Sequence, residues 1–276
     1  MIGVGPNGSG VGFEVTVGNG GSPVILHVPH GSRALTAHAR EAILLDDAAL
    51  SSELDHMTDA HTGLIATRAA KGADLAPWVF SNRLSRLVID PERFPDEREE
   101  MRAVGMGAVY LCTSHGARLR AEDPDHIEDL LARHYRPYAE AMAALVDARV
   151  AATGHAVILD VHSYPSRALP YELHVTGDRP AICLGVDTFH TPGWLHEAAV
   201  EAFSCFDDLG VNTPFAGSYV PLKHYRQAKA VMALMIEIRR DLYMTEPGGA
   251  PGEGITAVVH AITNLVDAVV TTGRRR

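Results

Sequence analysis

Apolar and polar positions alternate along the chain in a way that sorts it into short buried runs separated by longer amphipathic stretches. GFEVTVG (12–18), PVILHV (23–28), LAPWVF (75–80), RLVID (86–90), HAVILDV (155–161), AICLGV (181–186) and VMALMIEI (231–238) read as strands. Several are continuous apolar runs, the signature of strands covered on both faces. Helical spacing runs through 46–71, with Asp46 or Asp47 as its cap and Gly72 as its stop, and through 125–152, ending before Gly154. Two more helices are expected over 193–206 and 253–272. Strands alternating with helices predict an α/β fold with a mixed, largely parallel sheet in one domain over 1–276. Residues 91–124, 162–180 and 207–230 are long excursions, and long ordered loops in a compact domain usually carry function.

Two strands end in histidine. PVILHVPHGS puts His30 just past one run, where Pro29 stops the pairing and Gly31 frees the turn, and HAVILDVHSYPS puts His162 just past another. Sites in open α/β sheets lie beyond the carboxyl ends of strands, so the two imidazoles are expected to converge as metal ligands, zinc first. His27, inside its strand, has the plainer role of a hydrogen-bonded core residue. A third ligand is sought in ELDHMTDAH (53–61), where Asp55 and Asp59 stand one helical turn apart. HARE (38–41), ending in Glu41, is an alternative carboxylate source. Glu237, near the end of an apolar strand, is costly to bury without a partner or a task. Beside a metal it is a candidate general base, and Arg239 and Arg240 follow it as candidate ion-pair partners. Arg83, Arg86 and Arg93 crowd one short stretch, where guanidinium groups grip carboxylates and oxyanions or pair with Asp90, Glu92, Asp96 and Glu97.

Charge and composition narrow the classes. With 24 basic and 34 acidic residues the formal charge is −10, which disfavours nucleic acid as a partner. Three scattered cysteines make neither a disulfide framework nor a zinc knuckle and suit a reducing compartment, hence a cytoplasmic expectation. The first residues lack the basic and apolar regions of a signal peptide, and no apolar stretch approaches the ~20 residues of a membrane span. GVGPNG (3–8) matches G-x-G-x-x-G but follows no strand, so no dinucleotide site is read from it.

HVPHGS, MTDAHT, SRLVIDPER, DVHSYPSRALPYE, RPAICLGVDTFHTP, PFAGSYVPL and MIEIRRDLY, spread over roughly residues 22 to 245, resemble the N-formylglutamate amidohydrolases, relatives of zinc carboxypeptidases and aspartoacylase. The resemblance implies a three-layer α/β/α sandwich of the phosphorylase/hydrolase type, with one catalytic zinc, or another divalent transition metal, held by His30, His162 and a carboxylate from MTDAH. Asp59 is favoured over Asp55 and Glu41. It also implies Glu237 as general base, Arg86 as the oxyanion-polarising arginine, and Arg93 as the clamp on the substrate carboxylate; Arg239 is expected beside it as a second hold on the substrate carboxylates. The expected reaction splits N-formyl-L-glutamate into formate and L-glutamate, at the end of histidine breakdown. In the rival readings the scaffold cleaves another amide, as aspartoacylase or carboxypeptidase do, or only binds a metal or ligand. The chain departs from the family at His30-Gly31-Ser32, where His-Ser-Gly is usual, and at Asp90-Pro91-Glu92-Arg93, where Asp-Leu-Asn-Arg is usual. Glu92 removes a carboxylate donor and adds repulsion, which bears on the acyl-amino acid.

Overall fold

The structure is a computed structural model that describes residues 12–173 and 179–273; GVGPNG lies outside them. Seven strands form one sheet: β1 (Phe13–Thr16), β2 (Val24–Val28), β3 (Trp78–Asn82), β4 (Ala156–Tyr164), β5 (Ile182–Gly185), β6 (Leu209–Val211) and β7 (Val231–Arg239). Their order is β1-β3-β2-β4-β7-β5-β6. The central strands β3, β2, β4 and β7 are mutually parallel, as are β5 and β6, while β1–β3 and β5–β7 are antiparallel.

Strand parity assigns the two faces. Val24, Leu26, Val28, Val157, Leu159, Val161, Leu234, Ile236 and Ile238 point to one side and pack on α3 (Thr62–Gly72), α6 (Gly193–Ala202) and α7 (Ile255–Gly273). Ile25, Ile158 and Ala233 point to the other and meet Tyr138, Met142, Leu145 and Val146 of α5 (Arg136–Thr153). The result is the expected three-layer sandwich with a mixed sheet. Along that second face, toward the carboxyl ends, the apolar parity continues into His27, Asp160, His162 and Glu237. The segment between β3 and α4 (Pro124–Leu130) packs beside this polar end through two further cores, one joining Leu87, Tyr110 and Leu119 to Leu50, Leu54 and Met57, the other joining Val88 and Ile89 to Ala39 and Leu130.

Several elements differ from the sequence expectation. The helix over 46–71 is two helices, α2 (Asp47–Met57) and α3, with Thr58 extended and His61 left-handed between them at φ 67°. The 86–90 run is no strand; its apolar residues are buried under the excursion instead of paired in the sheet. β4 runs on to Tyr164, so His162 lies inside it. β6, three residues long and half-buried, carries too little pattern to be read. The helix over 125–152 has a π turn at Leu131–Tyr135, just ahead of Pro137, which has no N–H to continue the ordinary ladder. α7 has 19 residues at mean hydropathy 1.5, so by length and composition it does reach a membrane span, contrary to the sequence reading. Val258, Ile262, Leu265, Val266 and Val269 are nevertheless fully buried against the sheet layer.

Candidate metal and hydrolase centre

His30 follows β2, and the α2–α3 break brings Asp59 to it: the Asp59 amide donates to the His30 carbonyl at 3.0 Å. Thr62 holds the break from the other side, its Oγ1 donating to the Asp59 carbonyl at 2.7 Å. This close approach also explains Gly31. A Cβ there would sit 2.9 Å from Thr62 Oγ1 and 3.1 Å from Val28 Cγ1, so the glycine answers crowding by α3.

The donors converge on one point. His30 Nδ1 and His162 Nδ1 are 3.3 Å apart, and Asp59 Oδ2 lies 3.1 Å from the second and 3.7 Å from the first. All three residues are buried. The far ring nitrogens face carboxylates: His30 Nε2 is 2.9 Å from Asp90 Oδ1, and His162 Nε2 is 3.0 Å from Asp160 Oδ2. The Asp90 hydrogen bond keeps the proton of His30 on Nε2 and turns its Nδ1 lone pair toward the shared point, while Asp160 stands at ion-pair distance from His162 Nε2 without hydrogen-bond geometry. Two lone pairs and a carboxylate oxygen at that spacing repel unless a cation sits among them, either a proton on one ring or a metal ion. Two imidazoles and a carboxylate are a donor set that could hold such an ion.

The surroundings keep these groups charged. Burial and Arg86 oppose protonation of His30, but Asp90 and Asp59 outweigh them and its pKa is raised. Burial likewise opposes protonation of His162, yet Asp160 and Glu92 hold its pKa well above the ordinary value. Asp59 is driven below the carboxylate range, against burial, by hydrogen bonds to His162 and His30. Asp90 is likewise lowered against burial by His30 and Arg86. Asp160 ties the centre to the next layer: His27 Nδ1 is 2.8 Å from its Oδ1, and His27 Nε2 is 2.5 Å from the Tyr138 hydroxyl.

The trio lines a cavity of about 730 Å³ that also exposes Arg86, Arg93, Tyr171, Glu237 and Arg240. Glu237 is the register partner of His162 across the β4–β7 pair. It is buried, its Oε2 has no hydrogen-bond partner, and burial raises its pKa to about 8, with His162 opposing and Asp59 reinforcing. Arg86 donates through Nε to Tyr110 Oη at 2.9 Å and through Nη2 to Asp90 Oδ2 at 2.8 Å. Arg93 donates through Nη1 to Glu99 Oε1 at 3.4 Å.

Arg239 stands apart from this group. It donates to Asp241 Oδ1 at 2.8 Å and to the Arg179 carbonyl, and does not line the cavity. Its neighbour Arg240 does: Nη2 donates to Asp59 Oδ1 at 3.1 Å and Nη1 to the His56 carbonyl at 2.6 Å. Among the alternative carboxylates, Asp55 pairs with Arg33 and Glu41 is exposed. Glu92 faces the imidazoles, its Oε2 3.3 Å from His162 Nε2 and its Oε1 3.5 Å from His27 Nδ1. Asp160 had a readable signal, two residues before His162 on one strand face; Asp90 was readable only as an arginine partner and Arg240 only as an ion-pair candidate for Glu237, and Tyr138 had no signal.

The model of one protein family, N-formylglutamate amidohydrolase, matches residues 22–244. The chain belongs to this family. A crystal structure of an N-formylglutamate amidohydrolase from Ralstonia eutropha JMP134 superposes with a TM-score of 0.80 at 20% identity, covering 96% of this chain and 99% of that one. A gene product of Agrobacterium tumefaciens superposes at 0.70 with 18% identity, covering 97% of each chain. At these identities the likeness is one of fold. No curated protein sequence matches the chain. In this N-formylglutamate amidohydrolase-type hydrolase the charged end of the sheet lines the cavity described above.

Proposed function

We propose that the chain hydrolyses the N-formyl bond of N-formyl-L-glutamate, or of a closely related N-acyl acidic amino acid, with a divalent transition metal, zinc first, at His30, Asp59 and His162. One observation carries this reading: the three donors converge beside a buried glutamate with an unpartnered oxygen. When bound, the metal lowers the pKa of a coordinated water and polarises the acyl oxygen.

The chain's own groups do the rest. Glu237, opposite His162 in the β4–β7 pair and with Oε2 unpartnered, is the carboxylate placed to take the proton of the attacking water and return it to the leaving nitrogen. Arg86 has Nε and Nη2 committed to Tyr110 and Asp90, which leaves Nη1, 3.9 Å from Asp59 Oδ1 and not hydrogen-bonded to it, to meet the oxygen that becomes negative. Arg93, with one Nη on Glu99, keeps the other for a substrate carboxylate. The carbon–nitrogen bond breaks, water supplies the new oxygen, and formate and L-glutamate leave. Glu92, beside the imidazoles, favours a second reading in which the same groups cleave a different amide, as aspartoacylase- or carboxypeptidase-like hydrolases do.

Formate release from N-formyl-L-glutamate by the purified protein tests this, alongside N-acetyl-L-aspartate and a dipeptide. Chelation abolishes release and Zn2+ restores it. Glu237→Gln keeps the metal and loses about 10²- to 10⁴-fold in turnover. Full activity after complete metal removal, or in Glu237→Gln, refutes the proposal.

A further inference from the structure

A second set of donors stands at the edge of the same cavity. Glu53 and His56 are three apart on α2 and so share a helix face. His115 comes from the turn closed by the Thr113 amide donating to the Ala117 carbonyl at 2.8 Å. One donor atom from each of the three lies within 4.8 Å of the other two. The His56 and His115 rings stand 5.1 Å apart at 53°, against 5.1 Å and 51° for His30 and His162. Ring geometry alone does not select a site, since His38 and His126 are 4.9 Å apart at 54°. Their nearest carboxylate, Asp129, contacts His38 at 3.0 Å, but no trio of donors forms there among the described residues.

Hydrogen bonding prepares Glu53 and His115 as ligands. Buried Glu53 accepts from the Ser114 amide at 2.7 Å and from the Ser114 hydroxyl at 2.8 Å, which fixes the carboxylate and leaves each oxygen a lone pair. The Ser114 hydroxyl, having given its proton to Glu53, accepts from His115 Nδ1 at 3.0 Å. That assigns His115 the Nδ1–H tautomer and leaves Nε2 as a lone-pair donor. No hydrogen bond among the described residues engages the His56 ring, which lines the cavity. We propose that Glu53, His56 and His115 form a second divalent-metal site at the cavity rim, with an imidazole–carboxylate donor set suited to Zn2+. The inference does not rest on the hydrolytic reading.

The test titrates the chelator-stripped full-length protein with Zn2+ against a zinc-binding dye and counts metal per chain. Wild type takes up two ions, one tightly and one more weakly. His115→Ala and His56→Ala each remove the weaker ion and keep the tight one, whereas His30→Ala does the reverse. Ser114→Ala, which loses only the tautomer-fixing hydroxyl, weakens the second ion by about tenfold. Far-UV circular dichroism checks folding, and His115 is exposed, so its loss spares the core. A single ion in wild type, unchanged binding in both His115→Ala and His56→Ala, or loss of both ions in His30→Ala overturns the proposal.

Discussion

Glu237→Gln is expected to stabilise the metal-free protein, and to do so only above acid pH. The carboxyl has an ordinary value of 4.5 and is raised to about 8 in the fold, because burial disfavours its charge. Between those values the folded chain holds a proton that the unfolded chain has released, so this group subtracts stability as pH rises through the window. At 1.36 kcal/mol per pH unit, the penalty is roughly 3 kcal/mol at pH 7 and levels near roughly 5 kcal/mol well above pH 8. Glutamine keeps the shape and never ionises, and Oε2 has no hydrogen bond to lose. Denaturant unfolding of chelator-treated wild type and variant at pH 4.5 and pH 7.5 measures the difference. Near-coincident curves at the lower pH and a variant more stable by a few kcal/mol at the higher pH are expected. A pH-independent difference, or a destabilised variant at pH 7.5, would refute the reasoning. The same substitution should lower turnover by about 10²- to 10⁴-fold, as given above, a trade of stability for activity at one side chain.

Other expectations follow from the same geometry. Protons compete with metal for His30 and His162, whose pKa values are raised in the metal-free site; metal uptake near neutral pH should release protons and weaken as pH falls, readable by calorimetry in buffers of different ionisation enthalpy. Asp160→Asn removes the carboxylate behind His162 Nε2 and should weaken the metal by about 10- to 100-fold, measured by chelator competition. Arg93→Ala should raise KM for an acidic substrate, while Arg239→Ala, outside the cavity lining, should leave KM within about twofold. Arg86→Ala should lower kcat by about 10²- to 10³-fold with metal content intact, while losing stability because the buried Asp90 carboxylate loses its nearest guanidinium and keeps only Tyr110, His30 and a more distant Arg93.

The sandwich was legible because long apolar runs at β2, β4 and β7 admit few other arrangements. The parity of those runs also held most of the site, since His27, Asp160, His162 and Glu237 continue one face of the sheet. The break that frees Asp59 was not legible. Helical spacing runs through Thr58 to His61 unimpaired, and what interrupts it is tertiary: the His30 carbonyl takes the Asp59 amide, and Tyr243 Oη donates to the Ala60 carbonyl. Putting Asp55 and Asp59 on one face therefore assumed a helix that ends at Met57. Residues 86–90 misled for a related reason: three apolar residues in a row are buried equally well by a strand or by a looping cover. Arg239 and Arg240 are adjacent in sequence, and only the turn after β7 decides which one reaches Asp59.

The contact from His27 to Tyr138 has a mechanical consequence. Tyr138 sits in the first turn of α5, directly after the π turn, and its hydroxyl is the far end of a hydrogen-bonded chain through His27 to Asp160, which stands at ion-pair distance from the ring of His162. If the proposed metal is bound, disturbing that helix is expected to reach the imidazole through Asp160, so release of the ion would report wear in a layer that does not line the donor trio.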